Sequence, residues 1–339
     1  MMSSFTVDVV HLDDVHTHPN ADRLELAAVG GYRCVVQKGV FNKGDLVAYI
    51  PEQSMVPPDL LEEMGLVGRL GGAGKDRVKA VKLRGELSQG LVLPAREGWS
   101  VGDDVAEALG ITKYQPKIPQ CLQGRVKPIG NCATLKYDIN NIKKFNPFID
   151  DELIVVTEKI HGTFGQIAVI YGEDVVTSKG LGGRGLTLEM DTANLYWLAA
   201  IKFDVLGAIR RELSEFDRVY VLGEVFPAQD LKYGFDPGDV QFRVFDINVD
   251  GRFMDSAELD VACSYLELDR VPTLYGGPYS KAVVAELTDG KTTFGEVHVR
   301  EGVVVRTAEE RTDYRGRRCQ AKSVSGDYLT RKGGGDEVQ

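Results

Sequence analysis

VTEKIHGTFGQIAVI, from Val156 to Ile170, decides how this chain is to be read. Its two ends are rich in β-branched residues and read as strands. Its centre puts Lys159 two residues before His161, with Gly162 and Thr163 following at once. A lysine at a strand end is ordinarily a solvated cation, and a glycine after it ordinarily marks a turn. A lysine that serves as a nucleophile must instead lose its proton, against an unperturbed pKa of ~10.4. Burial, a neighbouring cation or a bound metal lowers that value, and Gly162 would let a phosphate approach the backbone. Four residues do not choose between these readings; the rest of the chain must.

Working outward, four later strands each carry a polar residue in an apolar frame. VYVLGEVF places Glu224 after Gly223, and QFRVFDINV places Phe245 and Asp246 in a strand. VREGVVVR places Glu301 before Gly302, and CQAKSVSGDYL places Lys322. One acid at a strand end is usually solvated, whereas two carboxylates, two lysines and an aromatic point to a site. Residues 193–213, ANLYWLAAIKFDVLGAIRREL, have apolar residues at helical spacing and predict one helix, started by Asn194 or Asp191. SAELDVACSYLEL predicts a second, with Ser256 as N-cap. Strands outnumber helices and do not alternate with them, which predicts an α+β fold on antiparallel sheets.

The first third differs. FTVDVVHLDDV, HPNADRLELAAV, YRCVVQ, GDLVAYIP and RVKAVKLRGELSQGLVLP are short strands separated by turn residues. That spacing predicts a small β-barrel or sandwich over residues 1–112. The proline-dotted, basic stretch 113–145 reads as a linker or a loop laid over a surface, leaving 146–339 as the second domain.

At 339 residues, two domains with real cores are expected. With 43% hydrophobic and 27% charged residues the composition is globular. No apolar run is long enough for a membrane span and the start lacks a signal-peptide pattern, so a cytoplasmic protein with no membrane partner is expected. Cys34, Cys121, Cys132, Cys263 and Cys319 are scattered without a Cys-x-x-Cys pair, against a disulfide framework or zinc site. Net charge is −10, yet 113–144 holds seven Lys/Arg against Asp138 alone, and 306–332 holds eight against four acids. Such basic tracts suit phosphate contacts, or are simply solvated surface.

EKIHGT, LGEVF, FRVFDI, EGVVVR and AKSVS, in that order, resemble the motif set of the covalent nucleotidyltransferases, which include ATP-dependent RNA and DNA ligases and capping enzymes. His161 and Thr163 in the first motif, and QDLKYG from Gln229 to Gly234, are similar to the RNA ligase branch. HPNADRLELA and GDLVAYIP resemble an OB-fold barrel of the tRNA-binding type. A barrel placed before the catalytic domain is similar to the RNA ligases of a radiation-resistant bacterium and an amoeboflagellate. The resemblance implies an N-terminal OB-fold followed by an ATP-grasp-like nucleotidyltransferase domain of antiparallel sheets with flanking helices.

It also implies roles. Lys159 would take AMP from ATP, Phe245 would stack on the adenine, and Lys322 would contact the α-phosphate and lower the pKa of Lys159. Glu224 would bind ribose hydroxyls or metal waters, and Glu301 would help place Mg2+ or Mn2+. Glu158, His161 and Gly162 would line the nucleotide. For the basic residue that contacts the ribose, TSKG offers Lys179 and GGRG offers Arg184. Many ligases have Lys-x-Lys in the last motif; here either Gln320 or Val324 stands where the second lysine would be. His161 reads as general base, metal ligand or, preferred, a hydrogen-bonding support of the loop. The implied partner is RNA or an RNA-containing duplex with a nick, and the implied enzyme a monomer. The rivals are a DNA ligase, a capping-type enzyme using GTP, a non-catalytic RNA-binding protein and a tRNA-handling factor.

Overall fold

The two β-branched ends of the opening stretch form strands Leu153–Lys159 and Thr163–Ile170, which belong to different five-stranded sheets. Only Ile160, His161 and Gly162 connect them. The computed structural model describes residues 5–115, 120–130, 135–227, 230–231, 233–236 and 238–331; Cys132, Gln229 and Lys332 lie outside these. The chain divides into two compact units, Met1–Gln115 and Pro116–Gln339.

In the second unit, one sheet runs in the order Asn140–Asn141, Gln320–Val324, Gly302–Thr307, Leu153–Lys159, Thr273–Pro278. Its pairings are antiparallel except the outermost, where Asn140–Asn141 runs parallel to Gln320–Val324. The other sheet, antiparallel throughout, runs Glu173–Ser178, Thr163–Ile170, Arg218–Phe226, Gln241–Val249, Arg252–Phe253. The stretch expected as a linker also contributes Val126–Pro128, paired with Leu186–Leu188.

Register decides what faces what, because directly opposed residues share a face. Lys159 opposes Gly302, which opposes Val324; Thr157 opposes Val304, which opposes Lys322; Val155 opposes Arg306, which opposes Gln320. Lys159, Arg306, Gln320, Lys322 and Val324 therefore share one face. The other face carries Ile154, Val156, Val303, Val305 and Ala321 into a core with Phe148, Tyr279 and Val284.

In the second sheet Phe164 opposes Glu224 and Leu222 opposes Asp246. The register then slips, so that Gly223 opposes Val244 and Phe245 has no partner on that side. Phe245 is thus the extra residue of a β-bulge, a device that re-aims a side chain. It lets Phe242 and Val244 enter the helix-covered core while Asp246 points the other way.

The helix over 193–213 is broken in two, Leu195–Lys202 and Val205–Glu212. Asp204 sits between them at φ +47°, a left-handed position that ends one helix and lets the next restart at a new angle. Apolar spacing continues through the break, so periodicity alone conceals it. Asn194 caps the first helix as expected, accepting from Tyr196 N–H at 3.0 Å. The helix Ser256–Tyr265 is capped by Asp255, not Ser256, and Glu258 accepts from Asp255 N–H at 2.9 Å.

The first unit is built from short antiparallel strands. FTVDVVHLDDV is two strands, Asp8–His11 and Asp14–Thr17, rather than one. Asp8–His11 pairs with Leu46–Ile50, which pairs with Leu91–Pro94; Asp14–Thr17 pairs with Leu24–Val29, which pairs with Tyr32–Gln37. Between them Leu12 N–H turns to Asp45 O and Asp13 N–H to Ala28 O, both at 2.9 Å. Among the described residues no helix is long and apolar enough to cross a membrane.

Asp246 is fully buried and ties the second unit's two sheets together. Its carboxylate accepts from Arg306 Nη1 at 3.4 Å, Arg318 Nη1 at 2.7 Å and Tyr137 Oη at 3.0 Å. Removing the anion leaves buried guanidinium charge uncompensated. Asp246→Ala is expected to cost about 3–5 kcal/mol in denaturant unfolding; a loss below about 1 kcal/mol would show that Glu310 alone neutralises both arginines.

Candidate active site

Lys159 ends its strand with its side chain 24% exposed, and its Nζ donates to Glu301 Oε1. Glu301 is held there by the backbone on its C-terminal side. Gly302 has φ +152°, and a Cβ on it would fall 2.1 Å from Ser323 O, so the chain can enter the sheet at this point only as glycine. Glu301 O in turn accepts from Ser325 N–H at 2.9 Å. Burial pushes the Glu301 carboxyl up, but Lys159 and then His161 outweigh it and hold the group down to about 2. The pair is therefore charge-separated.

Glu224 lies on the face that carries Phe164, and its environment is the reverse. Burial pushes its carboxyl up to about 7, with Lys159 opposing the rise and Glu301 adding to it. Gly162 presses directly on this residue: a Cβ there would lie 2.6 Å from Val225 O and 2.7 Å from Glu224 Cγ. The Cβ direction at Gly162 is thus filled by the strand Arg218–Phe226, which only glycine can approach this closely.

His161 is 4% exposed and both ring nitrogens are engaged. Nε2 meets Asp230 Oδ1 at 2.8 Å and Nδ1 meets Tyr328 Oη at 2.8 Å, with Glu301 Oε2 at 3.7 Å. Its backbone N–H donates to Tyr233 Oη. Burial alone would lower the imidazole pKa, but Glu301 and Asp230 more than offset that and raise it. A ring so occupied supports the loop and offers no nitrogen to a metal.

Phe245 is half-buried beside Tyr137 and Phe164, with ring centroids at 5.3 and 5.7 Å. Lys322 shares the face of Lys159 with the Gly302–Thr307 strand between them, which places their Cα atoms about 12 Å apart by strand spacing. Of the two replacements in the last motif, Gln320 is buried with its Oε1 accepting from Tyr137 Oη at 3.1 Å, and Val324 lies in the row of Lys159. Lys179 heads the short helix Lys179–Gly182 and pairs with Asp138 at 2.5 Å, while Arg184 is exposed. Glu158 alternates to the opposite face from Lys159. There its carboxylate accepts from Thr292 Oγ1 at 2.6 Å and from Thr293 N–H and Oγ1 at 2.8 Å, so it supports the strand from beneath.

Sequence reading missed Asp230, Tyr328, Arg331 and Tyr137, which hold the site residues in place. Two of them lie inside quoted motifs, but their contacts join segments 69 to 183 residues apart. In the basic tract 306–332, Arg306, Arg311, Arg317, Arg318 and Arg331 sit in ion pairs within the chain.

Among the described residues no group of three or more His, Cys, Asp or Glu forms a metal site. Glu224 and Glu301 are two hard-oxygen donors around one lysine. Mg2+ and Mn2+ commonly bind through one or two carboxylates, with waters and substrate phosphates completing the shell. The pair fits a metal that arrives with a nucleotide.

The RNA ligase family model matches residues 152–324, just over half of the chain and all of its candidate site residues. The chain belongs to the RNA ligase family. An OB-fold domain model matches residues 6–95, which identifies the first unit's barrel. No curated protein matches the chain by sequence. Among solved structures, a lysine-to-methionine mutant of Naegleria gruberi RNA ligase with AMP and Mn matches with TM-score 0.81 and 23% identity, over 95% of this chain and 97% of that one. The Naegleria gruberi RNA ligase with PPi matches with TM-score 0.81 and 23% identity over 96% and 98%. A lysine-to-alanine mutant with ATP and Mn matches with TM-score 0.79 and 22% identity over 95% and 97%. At this identity the matches show the fold, from barrel through both sheets.

The raised pKa of Glu224 is a stored cost. Its folded value of about 7 lies above an unfolded value of ~4.3, so the penalty is absent below the latter and complete above the former. Glu224→Gln is therefore expected to unfold at higher denaturant than the native chain at pH 8, with the gap closing towards pH 4. An equal or lower midpoint at pH 8 would show that Glu224 is already compensated.

Proposed function

We propose that this chain is an ATP-dependent RNA ligase that joins a 3′-hydroxyl to a 5′-phosphate through a lysyl-AMP intermediate, acting as a monomer on nicks in RNA-containing duplexes. What carries the reading is one lysine, Lys159, set against Glu301 with Glu224 and Lys322 around it, in a chain of the RNA ligase family. The Naegleria gruberi structures hold ATP, PPi or AMP, which in such a scheme are the reactant and leaving group of the first step and the leaving group of the last.

In the resting pair Glu301 favours the ammonium form of Lys159, so the amine must release its proton to solvent before it reacts. Lys322, a second cation on the same face, favours that release and withdraws charge from the α-phosphate. The neutral Nζ attacks the α-phosphorus of ATP, the bond from that phosphorus to the bridging oxygen breaks, and pyrophosphate leaves. The product is AMP on Nζ as a phosphoramidate. The 5′-phosphate then displaces Lys159 from AMP, and the 3′-hydroxyl displaces AMP in turn, giving the phosphodiester. A divalent ion held by Glu224 and Glu301 supplies electrostatic neutralisation of phosphate charge. Phe245, aimed by its bulge, offers a stacking surface for adenine, and the OB-fold barrel offers a surface for the nucleic acid.

Incubation with α-labelled ATP and Mn2+, followed by denaturing separation, tests the first step. Label is expected on the native chain and absent from Lys159→Ala. Label from GTP in preference to ATP would favour the capping-type reading, and none from any nucleotide would sink the ligase. A nicked duplex with RNA on the 3′-hydroxyl side is expected to be sealed faster than free single strands, more weakly as salt rises. Equal rates on the two substrates would remove the nick-sealing proposal.

A further inference from the structure

The four residues that sequence reading missed are not scattered. Three of them, Asp230, Tyr328 and Arg331, enclose His161. We propose that the segment from Ser325, where the last strand ends, to Arg331 is a clamp whose Tyr328 acts with Asp230 to position His161 behind the nucleophile's carboxylate partner. The inference rests on the ligase reading and adds residues to that same site.

The clamp is built from local chemistry. Ser325 leaves the sheet with its N–H on Glu301 O at 2.9 Å, its hydroxyl donating to Asp289 Oδ1 at 2.6 Å, and its Oγ accepting from Tyr328 N–H at 3.2 Å. Those bonds start the turn Gly326–Leu329 and turn Tyr328 inward, where it is completely buried. Its hydroxyl meets His161 Nδ1 at 2.8 Å, and its ring stands edge-on to the imidazole with centroids 5.4 Å apart. Arg331 closes the clamp. Its Nη1 donates to Tyr328 O at 2.8 Å, its guanidinium lies 3.8 Å over the Tyr328 ring, and its Nη2 reaches both oxygens of Asp230 at 3.1 and 3.2 Å. Asp230 takes His161 Nε2 from the other side.

The imidazole is thus fixed by a bond at each nitrogen, and Nδ1 stands 3.7 Å from Glu301, which holds Lys159. A carboxylate with a lysine on one oxygen and a ring beside the other has little freedom to rotate. Loss of the Tyr328 hydroxyl frees the ring about its Asp230 bond and lets Glu301 swing. The effect then falls on the aim of Lys159, because the contacts of Tyr328 and Asp230 run to His161, which stands 3.7 Å from the carboxylate that holds the lysine.

Single-turnover adenylylation would be measured across ATP concentrations for the native chain, Tyr328→Phe, Asp230→Ala, His161→Ala and each double variant with His161→Ala. Tyr328→Phe keeps the ring and its stacking with Arg331. It is expected to lower the maximal rate about tenfold or more, by misplacing the nucleophile, with the half-saturating ATP concentration unchanged. In the His161→Ala background neither Tyr328→Phe nor Asp230→Ala should lower the rate further. Native-like rates in Tyr328→Phe, losses that multiply with that of His161→Ala, or a change confined to ATP affinity would each overturn the assignment. If Tyr328→Phe does not fold, Asp230→Ala carries the same test from the opposite nitrogen. A native chain that takes no label brings down the ligase reading itself, an outcome distinct from a labelled native chain with indifferent variants.

Discussion

The contact between Lys159 and Glu301 organises the second unit. A charge pair with one partner buried is favourable only with good geometry and further partners, and the surroundings supply both. His161 stands 3.7 Å from the second oxygen of Glu301, with its own pKa raised by that carboxylate and Asp230, and Glu224 is left as the excess carboxyl, at about 7. Bringing these groups together requires strands to approach more closely than side chains permit. Gly162, Gly223 and Gly302 each stand next to or within two residues of a charged member, and a Cβ on each would meet Val225 O, the Phe242 ring or Ser323 O at 2.6, 2.4 and 2.1 Å. The glycines of the motifs are thus points of close approach, to backbone at Gly162 and Gly302 and to an aromatic ring at Gly223.

Much of this was legible in residue order. The ordered motifs already mark Lys159, Glu224, Glu301 and Lys322, and the α+β class follows from strands that refuse to alternate with helices; the shared face of Lys159 and Lys322 comes from register across three strands. What sequence could not show lies where local and long-range forces compete. Asp204 breaks a helix through a backbone angle that leaves no mark in the apolar spacing. Glu158, next to the nucleophile in sequence, points to the far side because a strand alternates. The Phe245 bulge appears only as a one-residue slip against Arg218–Phe226, visible once both strands are laid side by side.

Charge was the least transparent feature. Arg306 and Arg318 read as part of a basic surface, yet they converge on Asp246 and Glu310 beneath the site, with the Arg318 guanidinium 3.5 Å over the Phe253 ring. Arginine suits this place because its planar head pairs with two carboxylates and stacks on an aromatic at once. A count of basic residues along the chain cannot separate such internal ties from a surface open to phosphates.

The crossing at Ile160–Gly162 fixes the two sheets at one point, with Lys159 beside it. Asp246, on the second sheet, binds Arg306, on the first, and so fixes them at another. Two attachments resist a change of angle that one alone would permit. Lys159 on one sheet and Glu224 on the other are thereby kept in fixed relation before any substrate arrives.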